Sequence, residues 1–186
     1  MVAVRKRGRR RGAALAGAVA LLALAGGGWW VATSQTALAV PVPLSLVQRE
    51  DLGGRVVLLA RETQDPSAGP GQTPAQLAAG LAPRAFLSGG AVEDVAAYAR
   101  EAAQERSSLA GGTGEVAGAR VELAGMSATR QLGGPLQVCA RVHTTHLVDG
   151  RAGAEDVIPW VLTVDPGSQQ ITAVDVQYWD GGDHTC

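Results

Sequence analysis

The hydrophobic pattern divides the chain into three regimes. Residues 12–33 carry no charge and are almost wholly apolar, behind a head in which Arg5, Lys6, Arg7, Arg9, Arg10 and Arg11 crowd together. An uncharged stretch of about 20 apolar residues matches a bilayer core, and a basic flank keeps its own side cytoplasmic. Trp29 and Trp30 close the stretch, where indole rings favour the headgroup layer. The pattern predicts a cytoplasmic tail over 1–11 and a transmembrane helix over 12–33. A second reading stays open. Ala37-Leu38-Ala39 has the small-x-small form of a signal-peptidase site, so cleavage at Ala39 would release a secreted chain. The length of the apolar run and the distance of that site from it favour the anchor. Small residues four apart, Ala13 with Gly17 and Ala16 with Ala20, follow from the alanine content.

The second regime is helical, after an extended juxtamembrane segment and loop over 34–73. Val40-Pro41-Val42-Pro43 reads as a spacer, because a residue before proline is held out of the helical region. Residues 54–62 fit either a strand or a helical turn, and 63–73 form a polar Pro/Gly loop. Thr73-Pro74-Ala75-Gln76 is a capping box with proline at the first helical position, and Pro83 should end or kink that helix within three turns. A second helix is predicted over 91–109. Val92, Val95, Ala96, Ala99, Ala102 and Ala103 make its thin apolar stripe, Glu93 and Asp94 suit its first turn, and Gly111-Gly112 stops it.

From Glu115 onward the period becomes two. Ala119, Val121 and Leu123 alternate with Arg120 and Glu122; Leu136, Val138, Ala140 and Val142 alternate with Gln137, Cys139, Arg141 and His143. Residues 157–164 are apolar on both faces, as in the middle of a covered sheet, although Pro159 argues for an edge or a bulge. The fourth run, 171–179, sets Val174, Val176 and Tyr178 against Asp175 and Gln177. Short Gly/Pro/Asp connectors imply an antiparallel meander. The fold class predicted is α+β: a transmembrane helix, then over 74–186 a cone-like domain of helices packed on a four-stranded antiparallel sheet.

Charge narrows the partners. Six of the sixteen basic residues lie before Gly12, leaving ten against seventeen acids beyond it, a net −7. A domain so acidic lacks the cationic field that nucleic acid requires. The two cysteines, Cys139 and Cys186, favour one disulfide in an oxidising compartment, with two free thiols as the alternative.

Candidate chemistry is sparse. His143 and His146 form H-x-x-H, but strand residues three apart face opposite ways, so without a bulge they share no metal. Asp183-His184-Thr185-Cys186 gathers potential ligands only on a glycine-flanked tail. Arg141, His143, Asp175 and Gln177 are the polar residues that a pocket could use, and Asp175 with His143 would make an acid/base pair if their strands were neighbours. Alternation instead puts all four on the solvent face. Trp160 and Trp179 could line a ligand pocket or a partner groove; a tryptophan in an apolar strand such as 157–164 is more often core, which leaves Trp179, at a strand end, the better contact residue. No phosphate-binding Gly loop, CxxC, G-x-S-x-G or H-E-x-x-H occurs, so no catalytic residue, cofactor or metal is assigned.

The basic head, the anchor 12–33, helix 91–109, the strand run 115–179 and the closing stretch 170–177 together resemble the nuclear-transport-factor-2-like (cystatin-like) cone. They also resemble single-pass envelope proteins carrying one such domain, the mammalian-cell-entry-associated and conjugative-secretion scaffold proteins. The helical part is shorter than in that family, and Pro83 interrupts it. The resemblance implies a non-enzymatic protein-interaction or scaffold domain outside the cytoplasm, accessory to a transport or secretion assembly. Its implied partners are the bilayer, other envelope proteins and a second copy of the chain. The other implied role is a small-ligand-binding or hydrolytic cone.

Overall fold

The computed structural model describes residues 39–65, 71–113, 116–148 and 151–177. Among them are three helices, α1 (Leu46–Gln64), α2 (Pro74–Ala85) and α3 (Gly90–Thr113), and five strands. The strands are β1 (Val40–Pro41), β2 (Val116–Arg130), β3 (Leu136–Val148), β4 (Arg151–Val164) and β5 (Ile171–Val176). All pair antiparallel in the order β1-β2-β3-β4-β5.

Two parts of the expected fold class need correction. The sheet has five strands rather than four. Val40 and Pro41 pair with Arg130 and Thr129, and the Val42 amide donates to the Ala128 carbonyl at 2.9 Å. Two residues among prolines carry no readable period, and Pro41 is tolerated because β1 is an edge. Secondly, no helix among the described residues is long and apolar enough to cross a membrane. The segment 12–33, with Trp29 and Trp30, and the basic cluster Arg5–Arg11 lie outside the described residues.

Local chemistry starts each of the first two helices. Ser45 Oγ accepts from the Gln48 amide at 3.2 Å while Gln48 Oε1 accepts from the Ser45 amide at 3.1 Å, a capping box that opens α1. The ambiguous stretch 54–62 is therefore helix. Leu52, Val56, Leu59, Ala60 and Thr63 form its buried stripe. Gly53 stands where that helix crosses β2: a β-carbon there would lie 2.9 Å from Leu123 Cδ2. The Thr73–Gln76 box opens α2, and Pro83 sits in its last turn, two residues before the end. Phe86 then caps it in the left-handed region, φ 55°. Helix α3 runs past Gly111-Gly112 to Thr113, so the glycine pair does not stop it where the sequence predicts.

The three helices cover one face of the sheet. Leu52, Val56 and Leu59 of α1, Ala78 and Leu81 of α2 and Ala91, Val95 and Tyr98 of α3 share one core with the inward residues of β3 and β4. Those are Val138, Ala140 and Val142, and Ile158, Trp160 and Leu162. Pro159 is accommodated inside β4 because its carbonyl accepts from the Gln177 amide at 3.0 Å. Its peptide groups therefore face β5, whose ladder ends at Val176, so the missing N–H falls beyond the last pair and not against β3.

Arg55 locks three elements together. Its Nη2 meets Asp51 Oδ2 at 2.5 Å, its Nη1 donates to the Gln169 carbonyl at 2.8 Å, and its guanidinium lies 4.5 Å from the Phe86 ring centroid. Phe86 and Gln169 are the two non-glycine residues with positive φ among the described residues. A single buried cation thus holds both strained corners, which cost about 1–3 kcal/mol each when unsupported.

Candidate interaction surface

Alternation decides what each strand offers to solvent. With Val138, Ala140 and Val142 turned to the helices, Arg141 and His143 point to the opposite, outer face. Across the ladders Arg141 stands opposite Pro159, His143 opposite Glu122 and Val157, and Asp175 opposite Val161. The conditional acid/base pair is therefore absent. Strand β4 separates β3 from β5, and Asp175 is level with Cys139 rather than His143. His143 Nε2 instead lies 3.5 Å from Glu155 Oε2, and Asp175 accepts from Gln177 Nε2 at 3.1 Å.

The two histidines part company. Strand β3 is regular against β2 from His143 to His146, and the irregularity beyond Thr145 leaves one extra residue on β4. His146 is on the helix-facing side with Thr144, its Nε2 3.5 Å from Asp156 Oδ2. Consecutive carboxylates on β4, Glu155 and Asp156, thus serve one histidine on each face. Among the described residues no group of three or more His, Cys, Asp or Glu could hold a metal ion.

Trp160 belongs to the core. It is fully buried and meets Tyr98 edge-to-face, centroids 4.9 Å apart at 76°. Its Nε1, together with Thr144 Oγ1 and His146 Nδ1 on the same face, is buried without a hydrogen-bond partner among the described residues. Cys139 is disulfide-bonded. The chain's other cysteine, Cys186, and Trp179 lie outside the described residues.

What the residue-by-residue reading missed is the contrast between the sheet's two edges. The β5 edge is closed: the Ile171 amide donates to the Phe86 carbonyl, the Ile171 carbonyl accepts from the Ser88 amide, and the Val174 amide donates to Asp94 Oδ2, all at 2.9 Å. The β2 edge is open. β1 covers it only at 128–130, and from 116 to 127 its outward backbone meets no other strand among the described residues. On that stretch Arg120 and Glu122 are exposed on the outer face, while Val121 and Leu123 are half-buried towards the helices. The run of short meander connections says that two edges exist but not which one is covered, and the edge signal of Pro159 falls on β4, an interior strand.

In comparisons with protein-family models, curated proteins and solved structures, the chain matches none.

Proposed function

We propose that this domain is a non-enzymatic protein-interaction module working outside the cytoplasm, accessory to a transport or secretion assembly, and that it makes its contacts along β2. The observation that carries this reading is the asymmetry of the edges. A long uncovered strand is a template for pairing with another chain, and proteins commonly cover or interrupt such edges. Here one edge is closed by three hydrogen bonds and the other is open over 116–127. The basic head and apolar segment at the front of the sequence support the extracytoplasmic placement, whether they are kept or cleaved.

The test is site-specific photocrosslinking of the protein expressed from its full-length sequence in its native host. A photoreactive residue at Ala119 should give protein adducts, and one at Ala173 on β5 should give none. Equal yields at both positions would overturn the reading.

A second reading, a ligand-binding cone, is favoured by the buried unpartnered Thr144 Oγ1, His146 Nδ1 and Trp160 Nε1, since buried polar atoms ordinarily find protein or water. Native mass spectrometry of the purified chain would reveal a retained small molecule. Its hydrolytic form loses its support, because His143 and Asp175 do not meet.

A further inference from the structure

We infer that the occupant of the β2 edge is a second copy of the same chain, paired antiparallel about a two-fold axis through Val121. This rests on the reading of β2 as the contact surface and goes beyond it by naming the partner and the register.

Register follows from three observations. Irregularities between Val116 and Gly118 and between Leu123 and Gly125 bound the regular part of β2 at 118–123. A bulge opposed to a regular strand breaks the ladder, so a second copy must pair this segment with itself. Residues opposed in an antiparallel pair share a face, which puts the two-fold axis on a residue and not between two. Among the central positions, an axis through Arg120 sets Arg120 against Arg120, and one through Glu122 sets Glu122 against Glu122. An axis through Val121 sets Arg120 of each copy against Glu122 of the other. It also places Val121 against itself and Ala119 against Leu123, extending apolar contact on the helix-facing side.

The charges are available for this. Arg120 and Glu122 are both exposed, and neither makes an ion pair among the described residues. Pairing about Val121 matches 119–123 of each copy, which lies within the regular part of β2 and within the stretch that β1 leaves uncovered. The assembly also closes. A two-fold contact uses β2 of both copies; of the edges left on each, β5 is already hydrogen-bonded to Phe86, Ser88 and Asp94, and β1 is only two residues long and contains Pro41, so a dimer forms without growing into a fibre.

Charge exchange tests the register in the full-length chain, with sedimentation and native mass spectrometry as readouts. The wild type should be dimeric. Arg120→Glu and Glu122→Arg each replace two opposite-charge contacts by two like-charge ones and should weaken the dimer by about tenfold or more. The double variant R120E/E122R should recover wild-type association. Mixing the two single variants should give the mixed dimer, since each supplies the charges the other lacks. Circular dichroism of the single variants checks that these exposed substitutions leave the fold intact, and recovery in the double variant controls for a folding loss. Single variants that dimerise at wild-type strength, or a double variant that does not recover, would overturn the inference. A monomeric wild type whose Ala119 photocrosslinks only to a different protein would overturn the self-pairing while leaving the interaction reading standing. A monomer with no adduct at Ala119 would remove both.

Discussion

Asp165 organises the β4–β5 turn with one short side chain. Its Oδ1 accepts from the Ser168 amide at 2.7 Å, the Ser168 hydroxyl at 2.9 Å and the Gly167 amide at 3.0 Å. These bonds favour the charged carboxylate, the Ser168 backbone amide most strongly, and hold its pKa below the ordinary aspartate value. A pKa lowered by folding contributes stability that is present above the ordinary value and lost as pH falls through the lowered one. Asp165→Asn keeps an acceptor but carries no charge. Its deficit against wild type should therefore be largest at neutral pH and shrink in acid, as thermal melts across that range would record. The turn itself was legible, since Asp-Pro-Gly-Ser has only a few good conformations. The left-handed Gln169 that follows, φ 59°, was not, because the Arg55 that bonds its carbonyl comes from another helix.

At the scale of elements, α3 and β5 illustrate a local feature with a distant role. Asp94 reads from sequence as an acid in a helix's first turn, where it suits the dipole. In the structure its carboxylate accepts from the Val174 amide, a residue 80 positions away, and fills the edge of β5. Asp94→Ala should cost about 1–3 kcal/mol in chemical denaturation, because the amide loses its acceptor. Asp94→Asn should recover most of that, since the amide oxygen still accepts, whereas a purely dipolar role would not be rescued by a neutral residue. Helix starts were readable at Thr73 because a capping box is complete within four residues. The box at Ser45 has the same form but follows prolines that read as an extended spacer, so 54–62 fits either strand or helix on sequence alone. Strand lengths were less legible. β4 begins at Arg151, six residues before its apolar run, since pairing with β3 extends the ladder through residues whose side chains are exposed.

For the whole molecule, Trp160 is the hinge of the packing between layers, joining β4 to α3 through Tyr98 and standing beside Ala140 and Val176. Trp160→Ala should destabilise the domain by about 3–5 kcal/mol and flatten its near-ultraviolet circular dichroism, while Trp160→Phe should retain most of both. Hydrophobic period alone determined that helices precede a meander, that Val138, Ala140 and Val142 face inward and that Arg141 and His143 face out, because burial of one face enforces alternation. It also determined that His143 and His146 cannot share a ligand on a regular strand. Tertiary structure alone decided the rest. Whether Asp175 meets His143 depends on which strand lies between them, and whether an edge is open depends on which distant side chain or loop arrives to bond it. Neither is written in any local window, since both are settled by contacts between residues far apart in sequence.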